Sequence, residues 1–263
     1  MIFSVIIPCY NCEKTIVRAL LSVATQTFHD FEIVLVDDGS EDGTCKVIKE
    51  FFQDKNHLSY HYIYQQNRGA GTARNIAAQY AHGDFLAFLD ADDEWREDKL
   101  EIQYAFIQQY QVKFLSTSYT FDPFSQAKDL LVKQYDFKDF LFSNRTSTPC
   151  TVVEKKLFNE VGGFLDGQRY SEDYYLWLKI SKKEPLYFML KPSLTRLHKR
   201  AYGESGLSSK MWEMEKGELA NYSFCFQNGL ITYAQYLFFI GFSLGKYGLR
   251  VIKNYIQQRK YFR

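Results

Sequence analysis

The sequence has no G-x-G-x-x-G turn after its first apolar run, where Pro8-Cys9-Tyr10-Asn11 stands instead, and no G-x-x-x-x-G-K-[ST] segment. The first absence excludes ordinary NAD or FAD binding, and the second excludes P-loop kinases and ATPases. Charge of one sign is also missing: Lys plus Arg number 32 against Asp plus Glu 31, a net +1, so no global field marks a nucleic-acid binder. Cys9 and Cys12 form a CxxC, but the second pair of a four-thiolate zinc site is absent and no His pair stands at ligand spacing. The N-terminal MIFSVIIPCY lacks a charged n-region and a long apolar h-region, so the five cysteines are expected as reduced thiols in a cytoplasmic protein. No internal repeat or low-complexity linker appears. What is abundant is aromatic: 17% of the residues, from 23 Phe, 20 Tyr and 3 Trp, more than a core alone suggests.

The first half alternates short apolar runs with amphipathic stretches, which predicts an α/β fold with a mainly parallel sheet. Strands are expected at 3–7, 31–36, 58–64, 84–89 and 113–117, with helices at 13–24, 42–52, 70–81 and 96–110. Each of the first four strands is followed by a distinctive turn: Pro8 to Asn11, Asp37-Asp38-Gly39-Ser40, Asn67-Arg68-Gly69, and Asp90-Ala91-Asp92-Asp93. The carboxyl ends of strands in an open α/β sheet line its ligand crevice, so these four turns should converge. Further on, a short strand at 151–153, a helix at 155–161, a break at Gly162-Gly163-Phe164 and a helix carrying Glu172, Asp173, Trp177 and Ile180 are expected. Residues 119–150 show little periodicity.

Asp90 and Asp92 stand at i and i+2 on a strand end, on the same side of the chain. Such oxygen ligands suit a hard divalent ion, Mn²⁺ or Mg²⁺, holding substrate phosphates. The apolar run Phe85 to Leu89 sharpens this, because it ends in three acids that need a compensating cation.

With these motifs in order, the chain resembles the family 2 glycosyltransferases of the GT-A fold, the bacterial cell-surface polysaccharide or lipooligosaccharide type. The resemblance rests on Ser4 to Pro8 with Tyr10-Asn11, Gln26-Thr27-Phe28, Asp30 to Glu32, Val36 to Ser40, Asn67 to Gly69 with Ala73-Arg74-Asn75, Phe88 to Asp93, Gly162 to Phe164, and Glu172-Asp173, over roughly residues 2–200. It implies a UDP-sugar donor, a divalent metal and inversion at the anomeric carbon. It also implies Pro8 and Tyr10 flanking the base, Asp38 accepting from the uracil, Asp90 meeting the ribose and Asp92 ligating Mn²⁺ or Mg²⁺. Arg74 would approach the diphosphate or brace the carboxylates as a structural ion pair; Asp37 would hold its loop. Asp173 matches the family's catalytic base, although Ser171, Glu172 and Asp173 also suit a helix N-terminus. His198 would approach the metal or diphosphate, with 201–209 a flap closing over donor. His29, His57, His61 and His82 receive no role. The Gln-x-x-Arg-Trp motif and membrane helices of processive members are absent, which implies single-sugar transfer. A sugar nucleotidyltransferase, or a non-catalytic carbohydrate-binding scaffold on the same fold, is the alternative.

Residues 1–210 are expected as the GT-A domain, with a nucleotide-sugar half (1–118) and an acceptor half (119–210), and 211–263 as a helical, aromatic and basic segment. Leu219 to Gly245 contains no charged residue but is too interrupted by polar side chains for a span, suggesting two amphipathic helices broken at Asn228-Gly229. Lys246, Arg250, Lys253, Arg259, Lys260 and Arg263 follow without an acid, so the net charge is a cancellation between an acidic body and a basic tail. That tail is expected to lie on anionic lipid at the inner face of the cytoplasmic membrane, near a lipid-linked glycan acceptor, or to form a homodimer contact.

Overall fold

The computed structural model describes residues 1–125, 130–199 and 210–261, with side chains to Lys253 in the last helix. Its strands are β1 (Phe3–Cys9), β2 (Phe31–Asp37), β3 (Tyr60–Tyr64), β4 (Phe85–Phe88), β5 (Glu94–Trp95), β6 (Phe114–Thr120), β7 (Leu131–Tyr135), β8 (Thr151–Glu154) and β9 (Tyr187–Arg196). Its α-helices are α1 (Ile16–Ala24), α2 (Thr44–Phe52), α3 (Ala70–Tyr80), α4 (Lys99–Tyr110), α5 (Phe137–Phe142), α6 (Lys155–Glu160), α7 (Glu172–Lys183), α8 (Met211–Gln227) and α9 (Tyr233–Tyr261).

The described strands form one sheet in the order β3-β2-β1-β4-β8-β6-β9-β5, with β7 on the free side of β9. The β3-β2-β1-β4 portion is parallel, as the βα alternation requires; β4–β8 and β6–β8 are antiparallel, and β6–β9 is parallel again. Helices cover both faces. Phe3, Val5, Ile7, Ile33 and Leu35 point to the core shared with Ile16, Leu20, Ile48 and Leu100, while Ile6, Val34, Val36 and Phe88 point to that shared with Ala73, Ala77, Trp177 and Tyr222. Alternate residues of β1 and β2 thus feed opposite cores, which explains why these strands are apolar throughout.

Much of the aromatic surplus is consumed here. Phe88, Phe114, Phe164 and Trp177 pack at ring separations of 5.4–6.2 Å, and Tyr222 stacks on Phe239 at 5.6 Å. All five cysteines are free, four of them buried.

β9, for which the sequence analysis gives no bounds, has Pro192 in its interior. Proline is tolerated where the ladder breaks: the β6–β9 register slips there, from Thr117 opposite Leu190 to Ser118 opposite Ser193. The tail forms the expected two helices, α8 and α9, which pack together. One expectation about it is corrected. Lys246 and Arg250 are not outward-facing lipid contacts, because Lys246 Nζ pairs with Glu218 at 2.7 Å and Arg250 with the buried Glu215 at 2.5 Å. Acids of α8 that no local pattern links to α9 claim these cations. Among the described residues no helix is long and apolar enough to cross a membrane. The flap at 201–209 lies outside the described residues, as do the side chains of Arg259, Lys260 and Arg263.

Candidate active site

The site assembles from the carboxyl ends of β1, β2 and β4 and the first turns of α3 and α7. After β2, Asp37 is buried and accepts from Ser40 N–H at 2.8 Å and from the Tyr62 hydroxyl at 2.6 Å, so it holds its own loop. Asp38 is buried too and spans to the turn before α3. Its Oδ1 accepts from Gln65 Nε2 at 2.5 Å and Arg68 N–H at 2.8 Å, and its Oδ2 from Gly69 N–H at 2.8 Å. Gly69 has φ +95° and ψ 158°, a region essentially confined to glycine, and that conformation aims its N–H at Asp38. Three of about four acceptor positions on Asp38 are therefore filled within the chain. Pro8 is half-buried in β1 opposite Val36, and Tyr10, just beyond, is exposed.

After β4, Asp90 and Asp92 are part-exposed while Asp93 is buried. Burial, then the charges of Asp90 and Asp92, push Asp93 up to about 8, the sign of a local excess of negative charge. Three cations answer it: Lys199, Arg74 and Arg18, the last of which lowers the Asp93 pKa and donates to the Asp92 backbone carbonyl. Lys199 Nζ lies 2.8 Å from Asp92 Oδ2. Arg74, on α3 and only 4% exposed, donates through Nη2 to Asp90 Oδ1 at 2.7 Å and through Nη1 to Glu172 Oε1 at 3.0 Å, with Phe164 under its guanidinium. Of the two roles open to Arg74, the structure displays the brace, joining the β4 acids to the start of α7. His198 donates its backbone N–H to Asp93 at 3.2 Å, and its Nε2 faces Glu94 Oε1 at 3.1 Å, so the ring is turned to Glu94 and not to Asp92.

Asp173 sits in the first turn of α7. Its Oδ1 accepts from Tyr174 N–H at 2.7 Å and its Oδ2 from Asn144 Nδ2 at 3.0 Å. Burial raises its pKa, which those hydrogen bonds and Arg74 partly offset, and the charge of Asp90 also reaches it. Glu172 is pushed up to about 7 by burial and then by Asp173, against the pull of Arg74. A carboxylate with a raised pKa beside a cluster of acids has the chemistry of a general base.

The backbone that presents Asp173 is held from an unexpected direction. Ser171 adopts a left-handed conformation, φ 54° and ψ 30°, which costs a non-glycine residue roughly 1–3 kcal/mol and persists only when its surroundings impose it. Helix α8 imposes it: Ser171 Oγ donates to Met214 O at 3.1 Å, and Asn221 Nδ2 donates to Ser171 O at 2.9 Å. A Cβ on Gly217 would stand 2.4 Å from Tyr170 O, so only glycine lets α8 approach this closely. A glycine and a buried asparagine inside a helical segment are the signals that could have identified α8 as part of the site's support; Asn144, from the aperiodic region, offered none.

The Glycosyl transferase family 2 model matches residues 4–161. The chain belongs to that family and is a glycosyltransferase. It is 33% identical over 181 residues to the Escherichia coli UDP-Glc:alpha-D-GlcNAc-diphosphoundecaprenol beta-1,3-glucosyltransferase WfgD, covering 68% of this chain and 69% of that one. The crystal structure of S. aureus TarS 1-349 in complex with UDP-GlcNAc superposes with a TM-score of 0.70 at 25% identity, covering 85% of this chain and 66% of that one. The mannosyltransferase PcManGT from Pyrobaculum calidifontis, in complex with GDP-Man and Mn²⁺, shares the fold at 18% identity, with a TM-score of 0.68 and coverage of 85% and 63%.

Proposed function

We propose that the chain transfers one sugar from a UDP-sugar, with inversion, to a lipid-linked glycan during bacterial surface-polysaccharide synthesis. The observation that carries this reading is the Asp90–Arg74–Glu172 bridge, which ties the acidic turn after β4, where Asp92 lies, to the start of α7, where Asp173 lies. Pro8 and Tyr10 border the place for the base, Asp38 sets the turn beneath it and retains one acceptor position for the uracil, and Asp90 turns its remaining oxygen to the ribose. UDP-Glc in the name of one relative and UDP-GlcNAc in the TarS complex support a uridine donor.

Asp173 takes the acceptor hydroxyl's proton as that oxygen bonds the anomeric carbon and the bond to UDP breaks on the opposite face. The donor set fits a divalent ion: part-exposed Asp90 and Asp92 offer carboxylate oxygens beside buried Asp93, whose raised pKa reflects burial and the crowding of negative charge at this turn. Asp92 would hold Mn²⁺ or Mg²⁺, with His198 turning from Glu94 to join it; the chemistry such an ion supplies when bound is neutralisation of the charge growing on the diphosphate.

A thermal-shift screen of nucleotide sugars with Mn²⁺ tests the reading. One UDP-sugar should raise Tm in the wild type, EDTA should abolish most of the rise, and Asp92→Asn should reduce it while leaving the unliganded Tm within about 2 °C. Indifference to every UDP-sugar and to EDTA would refute it.

The acceptor's lipid finds a counterpart in α9. Its outward side carries Tyr233, Leu237, Phe238, Leu244, Leu249 and Ile252, all exposed, within about 160° of arc at 100° per residue. Since Lys246 and Arg250 face α8, this stripe is apolar and should rest in the interfacial layer of an anionic membrane. Vesicles rich in phosphatidylglycerol should float the wild type but not Leu244→Glu/Leu249→Glu, and 0.5 M salt, on the order of a 4 Å screening length, should weaken flotation without abolishing it. Equal flotation of that variant would exclude α9 as the contact; a change in its solution mass would mark the stripe as a homodimer surface.

A further inference from the structure

The two histidines without a sequence-derived role that the structure brings together are His61 and His82. They converge on Glu32, at the amino-terminal end of β2 and therefore about 16 Å along the strand from Asp37 and the crevice. Glu32 is buried, with 1% of its side chain exposed. One oxygen, Oε1, is occupied: it accepts from the Ser4 hydroxyl at 2.6 Å and from the His82 N–H, and the Ser4 hydroxyl is itself fixed by Gly83 N–H at 2.9 Å. The other, Oε2, lies 3.1 Å from His82 Nδ1 and 3.5 Å from His61 Nε2. All three ligand atoms lie within 4.8 Å of one another, and among the described residues no other His, Cys, Asp or Glu group does so.

We propose that Glu32, His61 and His82 form a binding site for a borderline divalent transition metal, best suited to Zn²⁺, separate from the ion of the donor crevice. Zinc takes imidazole nitrogen and carboxylate oxygen at about 2.0–2.1 Å, so a tetrahedral shell places neighbouring ligand atoms about 3.3 Å apart. The Oε2 separations of 3.1 and 3.5 Å bracket that value. Two nitrogens and one oxygen favour Zn²⁺ over Mg²⁺ or Mn²⁺, which prefer all-oxygen shells. The ligating carboxylate is pre-oriented, because Ser4 and the His82 amide lock its other oxygen, the support that metal sites depend on. His61 is 42% exposed and His82 69% exposed, which gives the ion a path in and leaves the fourth position to water. The ligands come from β2, β3 and the α3–β4 connection, so the ion would cross-link three segments of the chain.

Cobalt(II), a spectroscopic stand-in for zinc, tests this on the tag-free 263-residue chain. One equivalent should produce visible d–d bands of tetrahedral intensity that Zn²⁺ abolishes. His61→Ala and His82→Ala should each weaken binding on the order of 10- to 100-fold. Asp92→Asn should keep the bands, since the crevice is not involved. Zn²⁺ should also raise Tm by on the order of 5 °C in the wild type and Asp92→Asn but not in the double histidine variant. In the unmutated protein, Zn²⁺ should shift the ring ¹⁵N resonances of His61 and His82, a readout independent of whether any variant folds. Absence of bands with Co²⁺, bands retained in the double histidine variant, bands lost in Asp92→Asn, or unmoved histidine resonances would each overturn the proposal.

Discussion

Asp173→Asn is expected to lower kcat for sugar transfer by about 10³-fold while leaving the donor-induced rise in Tm intact, the loss typical of removing a general base. The substitution keeps the shape. Tyr174 N–H can still donate to the side-chain oxygen, and only Asn144, whose Nδ2 donates to Asp173 Oδ2 at 3.0 Å, would face a donor in place of an acceptor and need to rotate its amide. Stability should not fall by much, and at neutral pH it can rise, because burial makes the ionised carboxyl unfavourable here. The sign follows from proton counting. A carboxyl whose folded pKa is raised binds more protons folded than unfolded, so its contribution to stability falls as pH rises from the ordinary carboxylate range to the folded value. Asp173 and Glu172, the latter titrating near 7, both act in this direction, and Asp173→Asn removes one of the two. The base is active ionised, so the acid limb of kcat/KM should lie above the usual aspartate range, and Asn144→Ala, which removes a hydrogen bond to the ionised form, should move it higher. Full transfer by Asp173→Asn, or an acid limb unmoved by Asn144→Ala, would take Asp173 out of the chemistry.

The legible part of this molecule is the part whose causes are local. β1, β2 and β4 are apolar because both faces are covered, and their turns carry Asp38 and Asp90 to Asp93 at positions that the βα alternation dictates. The illegible part depends on contacts distant in sequence. Arg74 could be placed near the acids, but its partner Glu172 is 98 residues away, and no spacing rule joins them. The tail's composition predicts a basic amphipathic helix, and the acids of α8 that claim Lys246 and Arg250 lie too far away in sequence for any local pattern to reveal the pairing. Ser171 offered no sign of a left-handed backbone, since that conformation is imposed from outside by Met214, Gly217 and Asn221. His61 and His82 read as unremarkable polar positions because β2, β3 and the α3–β4 connection bring them together only in three dimensions.

Arg74→Met should be strongly destabilising, at about 3–5 kcal/mol, because it removes the buried cation of a three-member network and leaves both acids without their partner. For a chain of 263 residues that corresponds to a fall in Tm of roughly 10 °C. Methionine keeps much of the volume over Phe164, so lost packing should account for little of it. The pH dependence separates charge from packing. Without Arg74, Glu172 loses a group that favours its ionised form, so the deficit relative to wild type should be largest near pH 8 and shrink towards pH 5 as that carboxyl takes up a proton. Arg74→Lys should recover only part of the loss, since one ammonium cannot present two separate N–H groups at 2.7 and 3.0 Å to acids on different elements. Adding Glu172→Gln to Arg74→Met should restore stability relative to Arg74→Met alone, a coupling that two independent packing defects would not display. In the proposed reaction the same bridge would position Asp90 for the donor and α7 for Asp173, so a stable Arg74→Met with wild-type KM would break the link between this ion-pair network and the geometry of the reaction.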